Sequence, residues 1–211
     1  MRWLYHFSSS KIPFYLYKLN KSDSIIYASN KNNKNSVIIL YGIVYLLKTF
    51  TNQEVLTLGI LSRGNIISHK YKNTHCYYTA VALEETFILS FTWDDLLNNH
   101  KTKNILLKQV LVSYTSTLHK YEAMNTILAH KYTKYRIIQL LLILAKEFGS
   151  IKSTNVTIPF YISQITISII TGSNRSTVNK IMQNLCKTNA LSYSSNKYLY
   201  LDNPCYLSHN N

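Results

Sequence analysis

Acidic residues are scarce in this 211-residue chain: nine Asp and Glu stand against 23 Lys and Arg, giving a formal charge of +14 and a pI of about 9.6. That balance points to a polyanionic partner, whether DNA, RNA or an acidic membrane surface, and charge alone does not choose among them. Cysteine is equally sparse. Cys76, Cys186 and Cys205 are scattered, with no CxxC pair and no His at zinc spacing, which excludes a disulfide framework, a zinc finger and an iron-sulfur cluster. They are expected to be reduced, structural thiols. With only five Gly the chain has no glycine-rich phosphate loop. It also lacks paired carboxylates in an apolar setting and a Ser/His/Asp order with a nucleophile elbow, so an enzyme is not expected. Apolar runs of 18 residues are missing, and no opening h-region or Arg/Ser-rich transit segment is present, so the chain is expected neither to enter a membrane nor to be exported. The low Gly and Pro counts, set against abundant Lys, Asn, Ile and Tyr, fit AT-rich codons and an organellar or AT-rich genome.

What is present is enough apolar material for buried cores, 46% of residues, patterned in two ways. Residues 1 to about 24 show no firm period and suggest a short helix or an irregular arm. From Ile25 the texture becomes short apolar runs at 25–28, 36–50, 55–61, 77–83 and 86–91, separated by Asn, Lys, Glu and Gly clusters. β-branched and aromatic runs punctuated this way predict strands of an antiparallel roll or barrel. Gly42 interrupts the longest run, and a turn or bulge is expected there. His69 and His75 form a close pair in a predicted solvated loop.

Beyond residue 100 the period changes. Leu107, Leu111, Tyr114, Leu118, Tyr121, Asn125 and Leu128 step alternately by four and three, a heptad stripe on a helix of roughly 40 Å. Such a stripe either packs on the roll or forms a two-fold seam, and its length and the polar Asn125 favour the seam. RIIQLLLILAKEF within 133–148 predicts a core helix ended by Gly149 at the C′ position. Residues 162–185, ISQITISIITGSNRSTVNKIMQNL, read as helix, turn, helix. Ile165, Ile167 and Ile169 alternate as in a strand, but Ser163 as N-cap and the Gly172 break favour a helix. Ser173 or Asn174 can cap the second helix. There Val178, Ile181, Met182 and Leu185 form one apolar stripe, while Arg175, Ser176, Asn179, Lys180 and Gln183 lie opposite, a face with the chemistry a major groove requires. Spacing alone leaves recognition and plain packing of two helices about equally supported. Residues 191–201 predict a hairpin wing, with Ser194, Ser195 and Asn196 at its tip and Lys197 beside it.

Roll, long helix and winged helix-turn-helix, together with LLILAKEFG at 141–149 and its spacing to GSNRSTVNKIMQNL at 172–185, resemble the cyclic AMP receptor/fumarate-nitrate regulator superfamily. The resemblance spans about 25–203 and is strongest toward the global nitrogen regulators of cyanobacteria and algal plastids. It implies an α+β fold with three parts: a β-roll sensor-like domain over 1–100, a dimerisation helix over 101–132, and a winged helix-turn-helix DNA-binding domain over 133–211. By motif position Arg175 matches the arginine that contacts guanine O6 and N7, a bidentate pair worth roughly 1–3 kcal/mol of discrimination. Lys180 falls where many members carry a second basic reader. Ser176 stands where the nitrogen regulators carry a small side chain and the cyclic AMP receptor a glutamate, which implies altered readout. Ser163, Ser173, Asn174 and Thr177 match positions that hold phosphates or the helix start, and Asn179 and Lys197 complete the expected DNA-binding set.

The sensor half departs from the pattern. The resemblance puts a candidate effector pocket at Ile66, Ile67, Ser68, His69, Cys76, Tyr77 and Glu122. Nucleotide-binding members hold ribose and cyclic phosphate with a Gly-Glu and an Arg-Ser pair, where this chain has Ser68-His69 and Cys76-Tyr77, so the charge-assisted grip is gone and a cyclic nucleotide is not expected. Nitrogen regulators hold 2-oxoglutarate with arginines at the positions of Cys76 and about Thr117 and a glutamate matching Glu122. Only Glu122 remains, and a dicarboxylate would need Lys120, His119 or His75 as substitutes, so effector binding stays an open question with the balance slightly against 2-oxoglutarate, and no cofactor is predicted. The implied partners are double-stranded DNA, a second copy of the chain and RNA polymerase, in a plastid if organelle-encoded and otherwise in a bacterial cytoplasm. The competing expectation is a ligand-binding β-roll protein that has lost promoter recognition, against which Arg175 argues. RNA binding is weaker, because the aromatics do not cluster on one strand.

Overall fold

The computed structural model describes residues 2–27, 35–68, 76–98, 103–152, 155–195 and 197–202. The chain separates into two compact units, Met1–Ala123 and Met124–Asn211, and the division falls inside the long helix. His69, His75, Asn196 and Cys205 lie outside the described residues.

Among the described residues the first unit begins with α1 (Arg2–Ser9), followed by β1 (Tyr15–Leu19), β2 (Ser24–Tyr27), β3 (Asn35–Tyr41), β4 (Ile43–Phe50), β5 (Val55–Ser62), β6 (Ile66–Ser68), β7 (Cys76–Ala82) and β8 (Thr86–Thr92). They form two antiparallel sheets, ordered β1-β8-β3-β6 and β2-β7-β4-β5. Both sheets send side chains into one interior cluster: Leu19, Val37, Ile39, Ile67 and Ile88 from the first meet Val44, Leu46, Leu61, Ala80 and Ala82 from the second. The first sheet is covered on its other face too. Ile38, Ile66, Leu89 and Phe91 pack there with Phe7 of α1, Leu96 of α2 (Trp93–Asn98), and Leu106 and Val110 of α3 (Lys103–Ala129). A strand buried on both faces needs no polar alternation, which is why the run through Val37, Ile38 and Ile39 is unbroken in the sequence. Gly42 sits at the β3–β4 turn with φ 91°, and the register of β3 against β8 shifts between Ile39 and Tyr41 beside it.

Helix α3 is bolted to the roll by polar bonds as well. Buried Asn65 accepts from the Ser62 N–H at 2.8 Å and donates to Ser116 Oγ at 3.0 Å. The Ile66 N–H donates to Thr117 Oγ1 at 2.9 Å, and that hydroxyl donates to the Ser113 carbonyl at 2.8 Å.

The second unit contains α4 (Thr133–Phe148), β9 (Ser150–Lys152), β10 (Asn155–Ile158), α5 (Gln164–Thr171), α6 (Arg175–Lys187), β11 (Leu191–Tyr193) and β12 (Leu199–Asp202). The apolar face of α4 buries Ile137, Ile138, Leu140, Leu141 and Leu144. Residues Ile167, Ile170, Val178, Met182, Leu185, Leu191, Leu199 and Leu201 are buried with them. The four strands make one antiparallel sheet in the order β11-β12-β10-β9.

Three expectations need correction. Residues 1–24 hold not only a short helix but also β1, whose Tyr and Lys hid its strand character because only Leu19 is buried. The wing hairpin is extended to four strands by β9 and β10, too short to register as apolar runs. Gly149 does end α4, but in extended backbone (φ −67°, ψ 142°) rather than the left-handed form. The reason for glycine there is space: a Cβ would collide with the Ala145 carbonyl oxygen and with Val156 Cγ1 of β10.

Candidate nucleic-acid interface

The α5–turn–α6 segment is built by local chemistry at each junction. Ser163 caps α5, its hydroxyl accepting from the Thr166 N–H at 3.0 Å. The chain reverses at Gly172, left-handed at φ 57° and ψ 43°, with its N–H donating to the Ile169 carbonyl at 3.3 Å and the Ser173 N–H to the Ser168 carbonyl at 2.9 Å. Of the two candidate caps for α6, Asn174 fills the role: its Oδ1 accepts from the Ser176 N–H and the Ser176 hydroxyl, both at 2.9 Å. Ser173 instead donates its hydroxyl to the Thr171 carbonyl at 3.1 Å.

Helix α6 then divides as its periodicity requires. Val178, Met182 and Leu185 are buried and Ile181 is half-buried, whereas Arg175, Ser176, Thr177, Lys180 and Gln183 are exposed and Asn179 is half-buried. An exposed guanidinium at the helix start, followed five residues on by an ammonium, presents bidentate and single donors suited to base edges and phosphates. No acidic side chain lies in the first turn of α6, so its N-terminal amide groups remain attractive to an anion.

The β11–β12 wing closes beside the start of α5. Lys197 takes a left-handed backbone (φ 60°), and the tip is closed by the Lys197 N–H donating to the Ser194 carbonyl at 2.9 Å and the Tyr198 N–H to Ser194 Oγ at 2.9 Å. The Lys197 ammonium lies 6.0 Å from the centre of the Tyr161 ring, two residues before the α5 cap. On β11 the Tyr193 phenol is pushed up by burial and by neighbouring Cys186 and Tyr161, against a hydrogen bond with Gln164 that lowers it. Burial also raises the Cys186 thiol, which keeps it in the protonated form. Tyr161, Gln164 and Tyr193 therefore tie the wing to the start of α5, a role sequence spacing did not show because the three lie on a loop, a helix and a strand.

The heptad stripe on α3 runs along one flank of the face applied to the roll. Leu107 and Tyr114 pack half-buried against the roll's helix-covered cluster, and Tyr121 against its interior. Leu111 and Leu118 are open, 65% and 56% exposed, Asn125 is exposed and Leu128 is half-buried. Within the first unit, the face turned to the roll is offset from the stripe and consists of Leu106, Val110, Ser113 and Thr117.

The candidate effector residues are divided by strand alternation. Ile67 belongs to the roll interior and Cys76 is buried, sharing a face of β7 with Ala80 and Ala82. Ile66 faces the helix layer, as does Ser68, whose hydroxyl accepts from Ser36 Oγ at 2.8 Å and Trp93 Nε1 at 3.2 Å. Tyr77 is exposed on the outside of β7, and Glu122 is exposed on α3 with its carboxylate 3.1 Å from His119 Nδ1.

No protein-family model matches the chain. Curated relatives do. The chain is 26% identical over 205 residues to the "Putative HTH-type transcriptional regulator ycf28" of Porphyra purpurea, covering 95% of this chain and 84% of that one. It is 23% identical over 208 residues to the global nitrogen regulator of Synechococcus elongatus, covering 95% and 91%. Among solved structures it superposes on CprK in complex with OCPA with a TM-score of 0.73 at 18% identity, over 100% of this chain and 94% of that one. A CRP-family transcriptional regulator of Thermus thermophilus gives a TM-score of 0.73 at 17% identity, over 91% and 94%. The chain is thus a homologue of transcriptional regulators that include the global nitrogen regulators, built on the α+β fold of the CRP/FNR family.

Proposed function

We propose that this protein is a sequence-specific DNA-binding regulator of transcription that works as a homodimer on palindromic promoter sites. The observation that carries the reading is the exposed Arg175–Ser176–Lys180 face of α6, set by the Gly172 turn and the Asn174 cap, with the Lys197 wing held at the start of α5. In this reading Arg175 reads a guanine, Lys180 reads a second base or a phosphate, and Ser163, Ser173, Thr177 and Lys197 hold the backbone. The open leucines of α3 support a seam with a second copy, which would place two α6 helices in successive major grooves about 34 Å apart. The nitrogen regulators among its relatives support nitrogen-responsive promoters, and the Porphyra relative supports a plastid setting. RNA polymerase is the further partner such a regulator would engage.

The proposal includes no effector. Cys76 and Thr117 supply no cation for a dicarboxylate or a cyclic phosphate, and the Thr117 hydroxyl is committed to the Ile66 N–H and the Ser113 carbonyl. Gel-shift titration of a promoter duplex tests both parts. Wild-type protein should retain it specifically with or without 2-oxoglutarate, and Arg175→Ala should lose specific retention by about 10-fold or more while still sedimenting as a dimer. Unchanged specific binding by Arg175→Ala would contradict the assignment.

A further inference from the structure

Helix α4 carries a cation where its own electrostatics disfavour one. Arg136 lies in the first turn, where the helix dipole favours acids. The N-terminus of α4 is otherwise poorly tied, since Tyr132 precedes it in extended backbone and supplies no side-chain cap. The Arg136 side chain instead reaches the carbonyl groups at two other helix ends. Nε donates to the His130 carbonyl, one residue past α3, at 2.8 Å, and Nη1 donates to the Thr171 carbonyl, the last residue of α5, at 3.3 Å. Both acceptors sit at negative ends of helix dipoles, which lack intrahelical partners. The Thr171 carbonyl also accepts from the Ser173 hydroxyl, inside the turn that launches α6. One planar guanidinium, with donors fixed in a fork, thus spans from the end of α3 to the helix-turn-helix turn.

We infer that Arg136 is a positioning residue for DNA recognition, fixing the direction in which α6 leaves the end of α3 and so the spacing between half-sites that a dimer accepts. The inference rests on the promoter-binding reading above. A lysine keeps the charge but cannot fork to both carbonyls, and a glutamine keeps an amide donor without the charge or the reach. Either change should leave the reading face of α6 intact and loosen its aim.

The test is a panel of palindromic duplexes whose central spacer is varied one base pair at a time, titrated with wild-type, Arg136→Lys and Arg136→Gln full-length protein. Wild type should prefer its best spacer over neighbours one base pair away by about tenfold, comparable to one mismatched pair. Both variants should reduce that preference to about threefold or less, with the salt dependence of non-specific binding unchanged. If Arg136→Gln does not fold, Arg136→Lys gives the same reading. A variant that binds every spacer more weakly while keeping the wild-type optimum would overturn the inference, since it shows general stabilisation without aiming. A wild-type profile with no optimum would overturn the promoter-binding reading itself.

Discussion

Gly172 and Thr117 show how single residues set the two halves of this protein. At Gly172 a Cβ would meet no atom within 4 Å, so only the left-handed backbone opposes substitution. Gly172→Ala should cost about 1–2 kcal/mol and Gly172→Asn less, read as shifts of the unfolding midpoint; equal costs would mean the backbone is not the constraint. Thr117 is buried and is the acceptor for the Ile66 N–H. Thr117→Val keeps the shape and orphans that donor, so denaturant unfolding should show a loss of about 1–3 kcal/mol, and no loss would mean the bond is not made. At this scale sequence was informative where chemistry is local. A glycine before Ser-Asn-Arg announces a left-handed turn, and Ser163 announces a cap. It was uninformative where partners come from afar. Part of the need for glycine at 149 comes from Val156 on β10, the reach of Arg136 from carbonyls at 130 and 171, and the Lys197–Tyr161 contact from a loop 36 residues away in sequence.

Elements were legible when they were long and one-sided. The α6 stripe and the apolar run of α4 survive intact in the fold. Helix α5 was the harder case, because its isoleucines alternate as in a strand. The fold buries Ile167 with Ile170 and Thr171, three and four residues on, and leaves Ile165 and Ile169 partly exposed, so tertiary burial and the Ser163 cap outweigh the β-branched pattern. Strands β1, β9 and β10 escaped notice because each presents only three to five residues. Helix α3 shows a subtler limit. A heptad count marks residues that recur, not what they face, and the roll takes Leu107, Tyr114 and Tyr121 together with an adjacent stripe while Leu111 and Leu118 remain open. Because Leu111 is outside the roll contact, Leu111→Lys should leave the fold intact and dissociate the proposed dimer in sedimentation. A dimer that persists would place the seam elsewhere.

At the scale of the whole molecule, a strongly basic chain places the exposed Arg175–Lys180 face of α6 on one unit and a roll on the other, with the roll's described candidate effector residues turned to different sides of the strands. That division was invisible in the sequence, where Ile66, Ile67 and Ser68 are neighbours, because alternation along a strand separates what numbering joins. In the proposed regulator the positive charge would supply attraction to any duplex, and the α6 face the choice among them. Selection of bound sequences from random duplexes by the full-length protein, without added ligand, separates the two most directly. The proposed regulator should enrich an inverted repeat with a guanine in each half-site and centres one helical turn, or a multiple of it, apart. Recovery of duplexes with no shared sequence would contradict it, leaving a basic protein that binds DNA by charge alone.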